Sequence, residues 1–160
     1  MIERGGSMEH SNKLKEHIQA IVGKQLTGLN LACEMMMFSF EDYELHAQCF
    51  ARIILDQELI TTTLDYQSWD GENDRNNDEW FFTERYREQI AGGVVRAVEI
   101  SPIHDLVIQM DNGIRIELFM ANGLHHYGEE REQWVFFKHD DSGYPFISVR
   151  SGTVDIRIEE

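Results

Sequence analysis

HDLVIQMDNGIRIELF, residues 104–119, is the stretch on which the reading of this chain turns. Asp111-Asn112-Gly113 is a turn signature, because Asn and Gly tolerate the positive φ angles that tight hairpin turns require. Apolar residues alternate on both sides of it: Leu106 and Ile108 before, Ile114, Ile116 and Leu118 after. Period-two alternation sends one row of side chains to a core and the other to solvent. The stretch therefore reads as a β-hairpin with one buried face. Whether it carries chemistry or serves as scaffold depends on whether the chain builds it once or twice.

An earlier segment follows the same plan. EMMMFSF, residues 34–40, runs through Glu41-Asp42 into YELHAQCF, where Tyr43, Leu45, Ala47 and Cys49 alternate with Glu44, His46 and Gln48. Ahead of it, Asn12–Val22 reads as a helix with Leu14, Ile18, Ile21 and Val22 on one face, Ser11 as N-cap and Gly23 as the stop. A shift of 69 residues lays Ile21-Val22-Gly23 on Ile90-Ala91-Gly92, and Leu26, Leu29 and Leu31 on Val95, Val98 and Ile100. Asp78, with Phe82, Tyr86 and Ile90 spaced i, i+4 and i+8 among them, stands where the first helix stood. The order of elements predicts two copies of a helix–strand–hairpin unit, about 12–64 and 79–140, in a single domain over 11–160. The hairpin is then scaffold. Further strands are expected at ELITTTLDY (58–66), EQWVFFKH (132–139), YPFISVR (144–150) and TVDIRIE (153–159). The expected fold is α+β: a mostly antiparallel β sheet or partial barrel with one or two covering helices.

Composition narrows function. The chain of 160 residues is 42% hydrophobic, enough to fill a core, and carries 14 basic against 29 acidic residues, a net charge of −15. Such a charge repels phosphate backbones and argues against direct nucleic-acid contact, while it steers basic partners toward the surface. No apolar run approaches the roughly 18 residues of a membrane helix, and no secretory leader is visible, so a cytoplasmic setting is expected. MIERGGSM and the rest of residues 1–10 read as an expression remnant or a disordered leader. Cys33 and Cys49 form no CxxC pair and read as buried, unoxidised thiols.

Phosphate-loop, dinucleotide, nucleophile-elbow, zinc-protease and EF-hand spacings are all absent from the sequence. His125-His126 with Glu129, Glu130 and Glu132 is the best metal-like grouping, but adjacent residues on a strand point to opposite faces; no metal and no cofactor are expected. His104-Asp105 could orient an imidazole for base work, and His46 lies on a polar strand face, yet neither has a nucleophile near it in sequence. Met35-Met36-Met37 reads as core filling. Trp80-Phe81-Phe82 and Trp134-Val135-Phe136-Phe137 crowd too many large side chains together for one core face, which places some at a surface or an interface. The chain is read as a binding protein and not an enzyme. The segment 65–79 holds six carboxylates and one Arg; the expected partner contacts are Trp69 as apolar anchor with Asp70, Glu72, Asp74, Asp78 and Glu79 as steering charges. The clusters Glu129–Glu132 and His139–Asp141 could serve the same purpose.

One resemblance bears on this. Gly92, Val95, Val98, Asp105, Leu106, Ile108, Asp111, Asn112, Gly113, Trp134 and Phe136 match a pattern of a short G-x-x-V-x-x-V strand, a DL-x-I-x-F-D-N-G hairpin and a W-x-F strand. In this the stretch from Ile90 to Phe137 resembles small uncharacterised bacterial β-rich domains, several of which are acidic and act as immunity proteins beside polymorphic toxins. The resemblance implies an inhibitor of a basic protein such as a nuclease toxin, and it brings no catalytic residues. The alternative is an enzyme or small-ligand domain with its site between the two copies.

Overall fold

The structure is a computed structural model that describes residues 2–5, 8–32, 35–67, 71–72, 84, 86–121 and 131–159. Its helices are α1 (Met8–Ile18), continued by a 3-10 turn at Gln19–Ile21, α2 (Thr63–Gln67), and a helical stretch at 86–90. The strands of the earlier half are β1 (Ile2–Gly5), β2 (Leu26–Ala32), β3 (Met35–Phe40), β4 (Tyr43–Ala47), β5 (Phe50–Leu55) and β6 (Glu58–Thr62). Those of the later half are β7 (Val95–Ile100), β8 (Leu106–Met110), β9 (Ile114–Phe119), β10 (Glu132–Lys138), β11 (Phe146–Arg150) and β12 (Val154–Arg157). They form a seven-stranded sheet ordered β1-β12-β11-β10-β4-β3-β2 and a five-stranded sheet ordered β6-β5-β9-β8-β7. Among the described residues every strand pairing is antiparallel, and neither sheet closes into a barrel.

The strand order interleaves the halves. The meander β2-β3-β4 is extended by β10 and β11 from the later half, and the meander β7-β8-β9 by β5 and β6 from the earlier half. The chain changes sheets just after Ala47. There the amides of Gln48 and Cys49 both donate to the carbonyl of Gln133, each at 2.8 Å, and this doubling bends the strand out of one sheet toward the other. The sheets share one contiguous core that includes Phe38, Phe40, Leu45, Ile53, Ile108 and Phe136, closed by Leu14 and Ile18 of α1. Each fully buried side chain of this size contributes roughly 1.5–3 kcal/mol. Both sheets and α1 add to that one core.

Several sequence expectations change on contact with the structure. Ile2–Gly5, set outside the fold above, pairs with β12, and α1 begins at Met8, ahead of the expected Asn12. Ser11 is therefore inside the helix and not its cap. Strand β6 ends at Thr62 and α2 begins at Thr63, short of the expected Tyr66. The Asp65 carboxylate accepts from Thr62 N at 2.7 Å and the Thr62 hydroxyl from Leu64 N at 3.1 Å; these side-chain acceptors satisfy the first amides of a helix and outweigh β propensity. In the 111–113 turn Gly113 has a positive φ (83°) and Asn112 does not, the pattern of a three-residue hairpin loop with glycine last. Met36 fills the core, whereas Met35 and Met37 are half-buried on the opposite face of β3. Trp134 and Phe136 likewise face the core, while Phe137 stacks on Phe146 outside it, ring centroids 5.6 Å apart. Trp80-Phe81-Phe82 lie outside the described residues.

Candidate functional site

The helical stretch of α1 and its 3-10 turn, and the one at 86–90, each stop at a glycine in the left-handed region, Gly23 at φ 86° and Gly92 at φ 92°. The corners that follow cross each other. Gly23 N donates to Val95 O (2.8 Å) and Leu26 N to Gly93 O (2.9 Å); reciprocally, Gly92 N donates to Leu26 O (2.7 Å) and Val95 N to Lys24 O (2.9 Å). Gln25 and Val94 face each other as an isolated antiparallel bridge at the centre. The two bridge amides are then taken by hairpin-turn carboxylates: Gln25 N donates to Glu41 Oε2 and Val94 N to Asp111 Oδ1, both at 2.8 Å. The next turns out join the same way, His139 N to Asp42 O (2.6 Å) and Asp56 N to Gly113 O (2.8 Å). Six chain segments thus lie side by side along one margin of the molecule, and most carry a carboxylate.

The charge along this margin is uneven. Asp42 is met by Lys24 at 3.4 Å and Lys138 at 4.0 Å, and Lys138 also holds Asp140 at 3.1 Å. The Ser142 hydroxyl and then Lys138 lower the Asp140 carboxyl to about 2, and Asp140 in return raises Lys138. Asp111 is met by Arg96 at 3.8 Å. Asp56 and Glu88, by contrast, have no ion-pair partner among the described residues. They border an open cleft of about 540 Å³, lined also by Leu55, Gln89, Gly93 and Asn112. The cleft's shape is held by Asn112, whose Nδ2 donates to Gln89 O at 2.7 Å while its Oδ1 accepts from Ile114 N at 3.2 Å. A methyl group at Gly93 would fall 2.5 Å from the Asn112 side chain, and one at Gly113 would fall onto the Asp56 carboxylate. A side chain at Gly93 would have to displace Asn112, and at Gly113 the positive φ adds backbone strain to the displacement of Asp56.

Several other charged and titratable groups are internally engaged. Glu117, buried on β9, is held by Arg52 and by Arg115 (2.7 Å). The Asp105 carboxylate accepts from Met120 N at 2.7 Å; the His104 ring nitrogen Nε2 lies 3.3 Å from Ser11 Oγ. The His104–Asp105 pair weighed above as a possible base is thus spent on backbone and helix contacts. Burial first, and then Lys15, lower the His104 imidazole below its ordinary value. His46 lies beside Glu44, 3.4 Å between Nε2 and Oε2, and meets the edge of Phe137. Glu132 accepts from Gln48 Nε2 at 2.6 Å and from the Ser148 hydroxyl. Burial pushes the Cys49 thiol up to about 12, the behaviour of a small core residue. Cys33, His125, His126, Glu129 and Glu130 lie outside the described residues, and among those that are described no group of three or more His, Cys, Asp or Glu could hold a metal ion.

Of the expected partner contacts, Trp69, Asp70, Asp74, Asp78 and Glu79 lie outside the described residues, and Glu72 is exposed. The His139–Asp141 cluster is found on the margin, beside Asp42. Asp56, Glu88 and Gln89 were missed. Asp56-Gln57 between two apolar runs was legible as a turn, but nothing local tied it to Asn112. Comparison with known protein families, curated proteins and solved structures finds no match. No helix among the described residues is long and apolar enough to cross a membrane.

Proposed function

We propose that the protein is an acidic binding protein of the cytoplasm that neutralises a basic partner by direct contact, with immunity to a nuclease toxin as the natural case. A nuclease surface is basic because it holds phosphates, so a carboxylate-rich protein can occupy the same ground. The observation that carries this reading is the margin of turn carboxylates on a chain of net charge −15, with Asp56 and Glu88 beside an open cleft and without an ion-pair partner among the described residues. Trp69, Asp70, Glu72, Asp74, Asp78 and Glu79 would extend the contact, Trp69 as anchor and the acids as steering charges. The scaffold beneath is, on this proposal, two copies of one helix–strand–hairpin unit; the reciprocal bonds at Gly23, Leu26, Gly92 and Val95 support it.

The test is an inhibition assay with the product of a neighbouring reading frame that encodes a basic nuclease domain. Stoichiometric chain is expected to abolish cleavage, with association slowed at high salt. Undiminished cleavage at tenfold excess would remove the proposal. A second reading, a small-ligand domain with its site between the copies, is favoured by one observation: the cleft draws Asp56 from the earlier half and Glu88 and Asn112 from the later. Binding of a neutral metabolite there, with no effect of basic proteins, would select it.

A further inference from the structure

We infer that the cleft bordered by Asp56 and Glu88 receives a lysine or arginine side chain of the partner protein. This rests on the reading of the chain as a binder of basic proteins and assigns the contact point.

The reason lies in the other corner. Hydrogen bonding matches the two corners position by position. Lys24 O accepts from Val95 N as Gly93 O accepts from Leu26 N, so Lys24 corresponds to Gly93. Lys138 pairs with Tyr43 on β4 as Leu55 pairs with Ile114 on β9, so Lys138 corresponds to Leu55. His139 N donates to Asp42 O as Asp56 N donates to Gly113 O, so His139 corresponds to Asp56. In the earlier corner the space is therefore filled by the chain's own ammonium groups: Lys24 and Lys138 converge on Asp42, and Lys24 also stands 6.0 Å from the centre of the Tyr43 ring. In the later corner both lysines are gone, replaced by a glycine and a leucine. The space is open, the imidazole has become a carboxylate, and Glu88 adds a second.

The chemistry of the vacancy follows. An ammonium or guanidinium placed there would find two carboxylates, Asp56 and Glu88, and the amide oxygens of Gln89 and Asn112 as acceptors. The Leu55 side chain would pack along the aliphatic stem, as apolar surface does for long cationic side chains. A neutral or anionic group would leave the carboxylates uncompensated. The site is exposed, so a single side chain binds it weakly and specificity comes from the rest of the interface.

The experiment titrates ¹⁵N-labelled full-length protein with a capped lysine, Nα-acetyl-lysine methylamide, and with its neutral counterpart Nα-acetyl-norleucine methylamide. Saturable shifts are expected at the amides of Asp56, Gln89, Gly93 and Asn112 with the lysine compound alone. Asp56→Asn combined with Glu88→Gln, both exposed and both conservative, should weaken that titration at least fivefold. Leu55→Lys, which returns the missing ammonium from within, should abolish it while the spectrum stays dispersed. Shifts equal for the two compounds, shifts spread evenly over the acidic surface, or an unaltered titration in the double variant would each overturn the inference. So would saturation by putrescine at lower concentration than by capped lysine, since the occupant would then be a free polyamine. Nuclease inhibition that persists unchanged in Leu55→Lys overturns the cleft as contact point and leaves the wider functional reading standing. Loss of inhibition by the wild type with cleft titration intact does the reverse.

Discussion

At the earlier corner Lys24 and Lys138 converge on Asp42, while at the later corner Gly93 and Leu55 stand in their places and Asp56 and Glu88 face an open cleft. At the crossing the backbone does not distinguish the two: the glycines, the crossed amide–carbonyl bonds and the carboxylates that take Gln25 N and Val94 N recur on both sides, although the adjoining turns differ in length. The comparison shows that the crossing itself depends on main-chain bonds and two left-handed glycines. The surrounding side chains can then diverge, one set forming its own ion pairs around Asp42 and the other leaving an open cleft.

The largest test of that shared frame is a pair of matched core truncations. Phe136 of β10 and Ile53 of β5 occupy corresponding places, each in a strand that crosses into the sheet of the other half. Phe136→Ala should cost about 3–5 kcal/mol and Ile53→Ala about 2–5 kcal/mol. Each should shift one unfolding transition seen alike by circular dichroism and tryptophan fluorescence. Two separable transitions would show that the sheets unfold independently in spite of the interleaving.

Next come the glycines. Gly23→Ala and Gly92→Ala should each cost roughly 1–2 kcal/mol from left-handed backbone strain, and nearly equally, because a Cβ at either position meets nothing closer than 3.8 Å. Gly113→Ala should exceed both, since its Cβ would also displace the Asp56 carboxylate. Urea denaturation measures all three; a harmless Gly92→Ala would break the equivalence of the corners. A step smaller, Glu41→Ala and Asp111→Ala each leave one bridge amide to water, at about 0.5–1.5 kcal/mol.

Acid separates the corners further. Asp140 belongs to the earlier one, and its folded value of about 2 lies below the ordinary 3.8. Its contribution is therefore present above pH 3.8 and is lost as pH falls through 2. A carboxyl-detected titration should place its midpoint near 2 in the wild type and move it upward in Ser142→Ala. His104 acts at milder pH: its folded value lies below 6.5, so the unfolded chain binds the proton first and stability declines as pH drops below that point. His104→Asn, which tolerates the φ of 69° found there, should flatten the decline. The smallest effect belongs to Lys24→Gln, at most about 1 kcal/mol for an exposed pair. Its interest is that it partly opens the earlier corner, which should then show a weak response to capped lysine.

Local chemistry accounts for what the sequence alone determined. Alternation at 106–118 and at 43–47, and the stops at Gly23 and Gly92, depend on side-chain period and backbone freedom within a few residues, and each is found in the structure, although the strand expected to run to Cys49 ends at Ala47. So are the strands expected at 144–150 and 153–159, as β11 and β12. The pairing of β4 with β10 and of β5 with β9 was not legible, because many apolar strands of similar pattern could fill either place and the choice is made by the shared core. Of the misread ends, β6 at Thr62 is a place where side-chain acceptors outweigh propensity. The cleft was equally hidden: Asp56, Glu88 and Asn112 come from three segments, and only the crossing of the corners brings them together. Conversely, their charge and the excess of carboxylates were plain from composition. Sequence determined the net negative charge, because charge is additive and needs no fold; tertiary structure decided which carboxylates meet a cation, because pairing exists only relative to the cations the fold places beside them.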